Sequence, residues 1–118
     1  YHMFSAKEFA RMPKGSYLIN CARGSVVDET ALYEALESGQ LAGAGLDVME
    51  HEPFDVGNPL LRLSNVIFTP HVAGVTAQAS ERTHALVVDS TLSLLKGKAV
   101  SNLANPDVLK HPRWTEVL

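Results

Sequence analysis

The feature that most constrains this chain is an alternation. Three short apolar runs, SYLINC (16–21), LAGAGLDV (41–48) and NVIFTPH (65–71), are separated by stretches of helical periodicity or loop composition. Runs of this length, rich in β-formers and bounded by glycine, proline or asparagine, read as buried strands. Strands that alternate with helices predict a parallel sheet of the doubly wound type, so the fold class is α/β. In LAGAGLDV the small residues suggest that a helix packs closely on the strand.

Local signals place the helices. In YHMFSAKEFARMP, Ser5 and Glu8 form an S-x-x-E capping box, with Phe4 and Phe9 as a hydrophobic staple. That helix should run to about Met12, where Pro13 and Gly15 end it. Asp28 can cap ETALYEALES, in which Ala31, Leu32, Ala35 and Leu36 form one stripe, with Glu29, Glu34 and Glu37 outside it. Gly39 supplies the stop. MEHEPFDVGNP reads as loop. Thr76 can cap a long helix closed by Gly97, with an inward stripe of Ala85, Val88, Leu92 and Leu95. Glu81 projects on that side and also suits a helix N-terminus. The tail, KAVSNLANPDVLKHPRWTEVL, reads as an extended segment lying on another surface.

The chain has 118 residues, enough for one domain with a core. Its formal charge of −3 and lack of any basic run argue against a nucleic-acid surface. No apolar stretch is long enough to span a bilayer, and the first residues lack the layout of a signal peptide. A single cysteine, Cys21, excludes an internal disulfide and fits a reducing compartment. The expected setting is therefore cytoplasmic, with no nucleic-acid or membrane partner. His2, His51, His84 and His111 show no metal-ligand spacing with Cys21, so no metal site is expected.

In open α/β sheets the carboxyl ends of the strands face the ligand crevice. Arg23, Asp47 and His71 each follow a strand at that end, and Glu52 lies in the loop just beyond Asp47. Taken singly, an arginine after a strand is ordinarily solvated, an aspartate at a strand end ordinarily caps a turn, and His71 or Glu52 would be incidental loop residues. Their shared edge is what makes a site.

The residues also carry a resemblance. MPKGSYLINCARGSVVDETAL, LAGAGLDVMEHEP and NVIFTPHVAG stand in the order and at the spacing of the C-terminal part of the D-isomer-specific 2-hydroxyacid dehydrogenases. That family includes phosphoglycerate, glyoxylate and hydroxypyruvate dehydrogenases or reductases. The resemblance implies the second half of a Rossmann-type NAD(P)-binding domain over residues 1–73. Residues 74–118 would be a crossover helix and tail returning to a substrate domain. It implies that Arg23 is the catalytic-site arginine, His71 the acid/base and Glu52 its carboxylate partner. Asp47 would contact the nicotinamide side of NAD or NADP, with Cys21, Ala22, Arg23, His71 and Gly74 lining the same groove. Members of this family are commonly dimers, so self-association is expected.

The chemistry agrees with those residue types. The planar guanidinium of Arg23 can hold the carboxylate of a small 2-oxo or 2-hydroxy acid by two prongs. His71 can give a proton to the ketone oxygen and take it back in the oxidation direction. Glu52 can fix its tautomer. GAGLDV contains G-x-G but lies within a strand, so it is not the dinucleotide fingerprint, whose cradle would lie upstream. The 118 residues alone are therefore expected to be a poor enzyme. The alternative is an NAD-sensing interaction module, because C-terminal-binding corepressors resemble the family and keep a similar Arg-Glu-His set. A formate dehydrogenase is disfavoured, since that branch places an amide where Glu52 stands.

Overall fold

A computed structural model describes residues 1–100 and 102–112. Three strands, β1 (Ser16–Asn20), β2 (Leu41–Leu46) and β3 (Val66–Phe68), form a parallel sheet in the order β1-β2-β3. Helix α1 (Ala6–Arg11) precedes β1, and α2 (Glu29–Glu37) makes the crossover from β1 to β2. Helix α3 (Ala77–Leu95) follows the sheet. The chain divides into two compact units, Tyr1–Gly74 and Val75–Leu118.

The helix ends follow local chemistry. Glu8 accepts from both the backbone N–H (3.2 Å) and the hydroxyl of Ser5 (2.7 Å), and the Phe4 and Phe9 rings stack with centroids 6.5 Å apart. Gln40 donates to the carbonyls of Phe9 (3.0 Å) and Met12 (2.8 Å), satisfying acceptors that the end of α1 leaves free. Asp28 accepts from Ala31 N–H at 3.0 Å, and Thr76 from Ala79 N–H at 3.0 Å. Gly39 and Gly97 carry the positive φ of a helix stop, 71° and 65°.

The core of the first unit lies on one face of the sheet. Leu18, Ala44 and Leu46 meet Phe9 of α1 and the stripe Ala31, Leu32, Ala35 and Leu36 of α2, and Leu60 closes it from a 3-10 turn at Pro59–Arg62. The opposite face is open. Tyr17, Ile19 and Ile67 are each more than 70% exposed, so these strands are buried on one face only. Of the small residues of β2, Ala44 packs against α2 as expected, and the glycines lie on the other face. Gly43 stands beside Tyr17, whose ring would lie 3.0 Å from an added Cβ, and Gly45 stands beside Ile19. At Gly43 an added Cβ would also lie 2.7 Å from the Asn65 carbonyl oxygen, so close approach requires glycine there, whereas at Gly45 it would meet Ile19 at an ordinary 3.9 Å; α2 packs over Ala44 and Leu46.

Glu29, outside the apolar stripe of α2, has partners in the loop after β2. Its carboxylate accepts from Glu50 N–H and from the Asn58 side chain, both at 2.7 Å, bracing the loop after β2.

In the second unit, α3 buries none of its residues, and Val88, Leu92 and Leu95 are exposed. Glu81 is exposed as well. The tail includes a 3-10 turn at Pro106–Lys110, where the sequence suggests extended chain. Asn105 explains the difference, because its side chain accepts from Asp107 N–H (3.1 Å) and starts the turn, with Pro106 at its first position. The reading of residues 101 and 113–118 as part of that extended segment lies outside the described residues.

Candidate active site

Asp47 is the first residue after β2 and is only 4% exposed. One carboxylate oxygen accepts from the Thr69 hydroxyl (2.5 Å) and Val72 N–H (2.9 Å), and the other from Ala73 N–H (2.9 Å). Its backbone carbonyl accepts from His71 N–H at 2.9 Å. One residue therefore ties the end of β2 to the segment that leaves β3. The segment turns because Pro70 has no N–H with which to continue the sheet. These contacts hold Asp47 ionised below the usual carboxylate range. The Thr69 hydroxyl is the main cause, opposed by burial and supported by the Ala73 and Val72 N–H groups and the His71 ring.

His71 sits at φ 55°, in the left-handed region. That conformation costs an L-residue roughly 1–2 kcal/mol, although histidine tolerates it better than most. The hydrogen bonds to Asp47 on either side of it offset the cost. Strain of this kind, imposed by surrounding contacts, is typical of functional positions.

The imidazole of His71 meets Glu52, with Nδ1 2.8 Å from Oε2. The other oxygen of Glu52 accepts from Met49 N–H at 3.1 Å. The hydrogen bond from His71 is the main cause that lowers the Glu52 pKa, aided by Met49 N–H and the charges of His71 and Arg23, against desolvation. An ionised carboxylate only accepts, so Nδ1 carries the proton of this hydrogen bond and Nε2 takes no part in it.

Arg23 lies beyond β1, in an exposed stretch with Cys21 and Ala22. The next residue, Gly24, opens a 3-10 turn at Gly24–Val26 and lies flush against the loop after β2. A Cβ at Gly24 would stand 1.9 Å from the Met49 carbonyl oxygen and 2.4 Å from Glu50 N. Glycine is thus required by close approach, which seats the arginine loop on the stretch leading to Glu52. The Arg23 guanidinium donates back to Ala22 O at 2.6 Å, and its charge reaches Glu52.

A cavity of about 450 Å³ opens at this edge, lined by Asp47, Glu52, Thr69 and His71, with Met49, Pro53, Phe54 and Pro70 as apolar wall. The structure thus brings together Asp47, Glu52 and His71. Arg23, Cys21 and Ala22 share the strand-end edge but stand outside the cavity wall. Gly74 is exposed and ends the first unit. Sequence reasoning missed Thr69 and Asn20, polar residues at strand ends whose position was their only signal. His2, which shows no metal-ligand spacing in the sequence, pairs through Nε2 with Glu50 and stacks its ring on Tyr1. Among the described residues no group of three or more His, Cys, Asp or Glu side chains could hold a metal ion.

Comparison with known proteins bears on this edge. Residues 1–73 match the family model described as D-isomer specific 2-hydroxyacid dehydrogenase, NAD binding domain. A glyoxylate/hydroxypyruvate reductase B from Citrobacter koseri is 45% identical over 108 residues, which is 92% of this chain and 33% of that protein. A D-isomer specific 2-hydroxyacid dehydrogenase from Xanthobacter autotrophicus Py2, solved with NADPH and MES, superposes with a TM-score of 0.75 at 39% identity. That match covers 91% of this chain and 43% of the other. A D-lactate dehydrogenase from Lactobacillus jensenii, solved with NAD+, gives a TM-score of 0.78 at 34% identity, covering 88% of this chain and 35% of the other. The chain spans about a third of the length of the curated relatives it matches. With a parallel sheet, the strand-end residues and a family model over more than half its length, this chain belongs to the NAD-binding domain family of the D-isomer specific 2-hydroxyacid dehydrogenases.

Proposed function

We propose that this chain forms part of an NAD(P)-dependent oxidoreductase that interconverts a small 2-oxo acid and its 2-hydroxy acid. The observation that carries the reading is the Glu52–His71 pair, 2.8 Å apart, on a loop that Asp47 closes at the mouth of a cavity. Residues 1–73 serve as a C-terminal portion of the NAD(P)-binding domain, and 74–118 run on toward a substrate domain.

The donor and acceptor set suits a nicotinamide dinucleotide. Cys21, Ala22 and Arg23 are exposed at the strand ends, where their backbone can line a groove. Asp47 already accepts three hydrogen bonds of the roughly four a carboxylate can take, which leaves one place for an amide N–H. Gly74 has open space where a side chain would stand. When bound, the nicotinamide exchanges a hydride with the substrate carbon.

The residues of the chain do the rest. Arg23 binds the substrate carboxylate and so turns the neighbouring carbonyl toward His71. To do this its guanidinium swings away from the Ala22 carbonyl, a movement its exposure permits. His71, protonated on both nitrogens, gives the Nε2 proton to the ketone oxygen in reduction and recovers it in oxidation. Glu52 accepts from Nδ1 and so fixes the orientation of the ring. Asp47 holds the backbone that aims it. Met49, Pro53 and Phe54 present apolar surface at the same cavity.

The test is an assay of the intact protein with NADH and, separately, NADPH, against glyoxylate and hydroxypyruvate, the acids named for the relatives. Oxidation of the cofactor that depends on the acid is the expected result, and the two cofactor arms decide which is used. Cofactor binding with no turnover of any 2-oxo acid would replace this reading with that of a nucleotide-sensing interaction module.

A further inference from the structure

We infer that Asn20 is the positioning residue for Arg23, an inference that rests on the functional reading above. Asn20 is the last residue of β1 and is 6% exposed, unusual burial for an amide. Its side chain folds forward along its own chain. Oδ1 accepts from Ala22 N–H at 3.0 Å, and Nδ2 donates to the carbonyl of Arg23 at 2.9 Å. The backbone of the same residue is anchored to the sheet, its carbonyl accepting from Asp47 N–H at 3.0 Å.

The amide thus closes residues 20–23 into a ring whose base is the sheet itself. Arg23 is held at φ −149°, ψ 144°, and Gly24 fixes the far side by lying on Met49 and Glu50. Clamped before and after, the Arg23 backbone fixes the direction in which its side chain leaves the chain. Its guanidinium stays exposed and able to turn toward an anion. No other small side chain can do this. Aspartate would accept from Ala22 but oppose the Arg23 carbonyl with a second acceptor. Serine can accept from Ala22 but is too short to reach residue 23. Leucine fills the space and makes neither bond.

The experiment compares the intact protein with Asn20→Asp and Asn20→Ser, each alone and combined with Arg23→Ala. If Asn20 acts through Arg23, each single change raises KM for the 2-oxo acid by about tenfold or more while kcat moves less than about threefold. In the Arg23→Ala background the same changes add less than about twofold, because the group they position is gone. Hydrogen–deuterium exchange supplies a reading that needs no turnover. The peptide spanning 20–26 should exchange faster in both variants, while the remainder of the sheet keeps its protection.

Losses that are equal in kcat and KM, or that add fully to Arg23→Ala, would overturn the inference. So would unchanged exchange over 20–26, or variants that are unfolded throughout. If the unmodified protein turns over no 2-oxo acid, the functional reading fails on that measurement. The positioning of Arg23 is then decided by exchange alone.

Discussion

Replacing Gly24 with alanine tests the seat of the arginine loop most sharply. The added Cβ would lie 1.9 Å from the Met49 carbonyl oxygen and 2.0 Å from its carbon. Even a close C–H···O contact needs about 3.3 Å, so one loop must retreat by more than about 1 Å. Neither can do so freely. Met49 N–H is bound to Glu52, and Glu50 N–H to Glu29. Forcing a methyl group into packed structure costs roughly 1–3 kcal/mol. Losing one hydrogen bond to a charged group adds about 1.5–3 kcal/mol. We expect a destabilisation of about 3 kcal/mol or more, a large share of the 5–15 kcal/mol typical of folded proteins. Chemical denaturation of the intact protein, read as a lower midpoint at unchanged slope, measures it. Gly39→Ala is the comparison, since Gly39 has a φ of 71° and nothing within 4 Å of an added Cβ, so only backbone strain of about 1–2 kcal/mol is expected. If Gly24→Ala costs no more than Gly39→Ala, the close approach does not hold the loop.

Four further outcomes are expected. His71→Asn, which keeps a residue tolerant of left-handed backbone, should leave the melting temperature near native and lower turnover by roughly two to four orders of magnitude; near-native turnover would remove His71 from the mechanism. Arg23→Lys should raise KM for the acid at least about tenfold in steady-state kinetics, because an ammonium cannot copy the two-pronged contact. Thr69→Val removes the main cause that lowers the Asp47 pKa. A depressed carboxylate stabilises the fold above its unfolded pKa, about 3.9, and loses that contribution as pH falls through the folded value. The variant should therefore be less stable at neutral pH, with the gap to the unmodified protein closing below about pH 4 in urea titrations; a gap constant with pH would refute the assignment. Sedimentation should show self-association, because a helix that leaves Val88, Leu92 and Leu95 exposed has apolar surface to cover; a monomer at high micromolar concentration would contradict this.

Much of this architecture was legible because its signals are local. The capping box of Ser5 and Glu8, the caps at Asp28 and Thr76, and the stops at Gly39 and Gly97 depend on neighbours within a turn. The stripe of α2 is equally local, and so the parallel order of the strands could be read from their alternation with helices. The placement of Asp47, Glu52 and His71 at one edge follows from that order. What escaped reading depends on distant partners. Nothing near Gly43 or Gly45 states that Tyr17 and Ile19 will lie beside them, or that this face of the sheet stays open. Thr69 becomes a partner of Asp47 only because that residue, 22 positions earlier, is brought beside it. Glu29 looks like a surface charge until Glu50 and Asn58 arrive. The arginine was visible as a candidate, but its seat on Met49 and its clamp by Asn20 were not.

The stretch from Asp47 to Glu52 serves two masters. Asp47 sets the backbone of His71, Met49 and Glu50 seat the turn that carries Arg23, and Glu52 answers to both charges. On the proposed reading, anion grip and proton delivery therefore share one frame. A substitution within this stretch would then disturb both contacts at once. Phe54 is nearly half exposed and lines the cavity from outside this stretch. On the proposed reading, changes at such a wall position reshape the cavity while leaving the contacts of residues 47–52 in place.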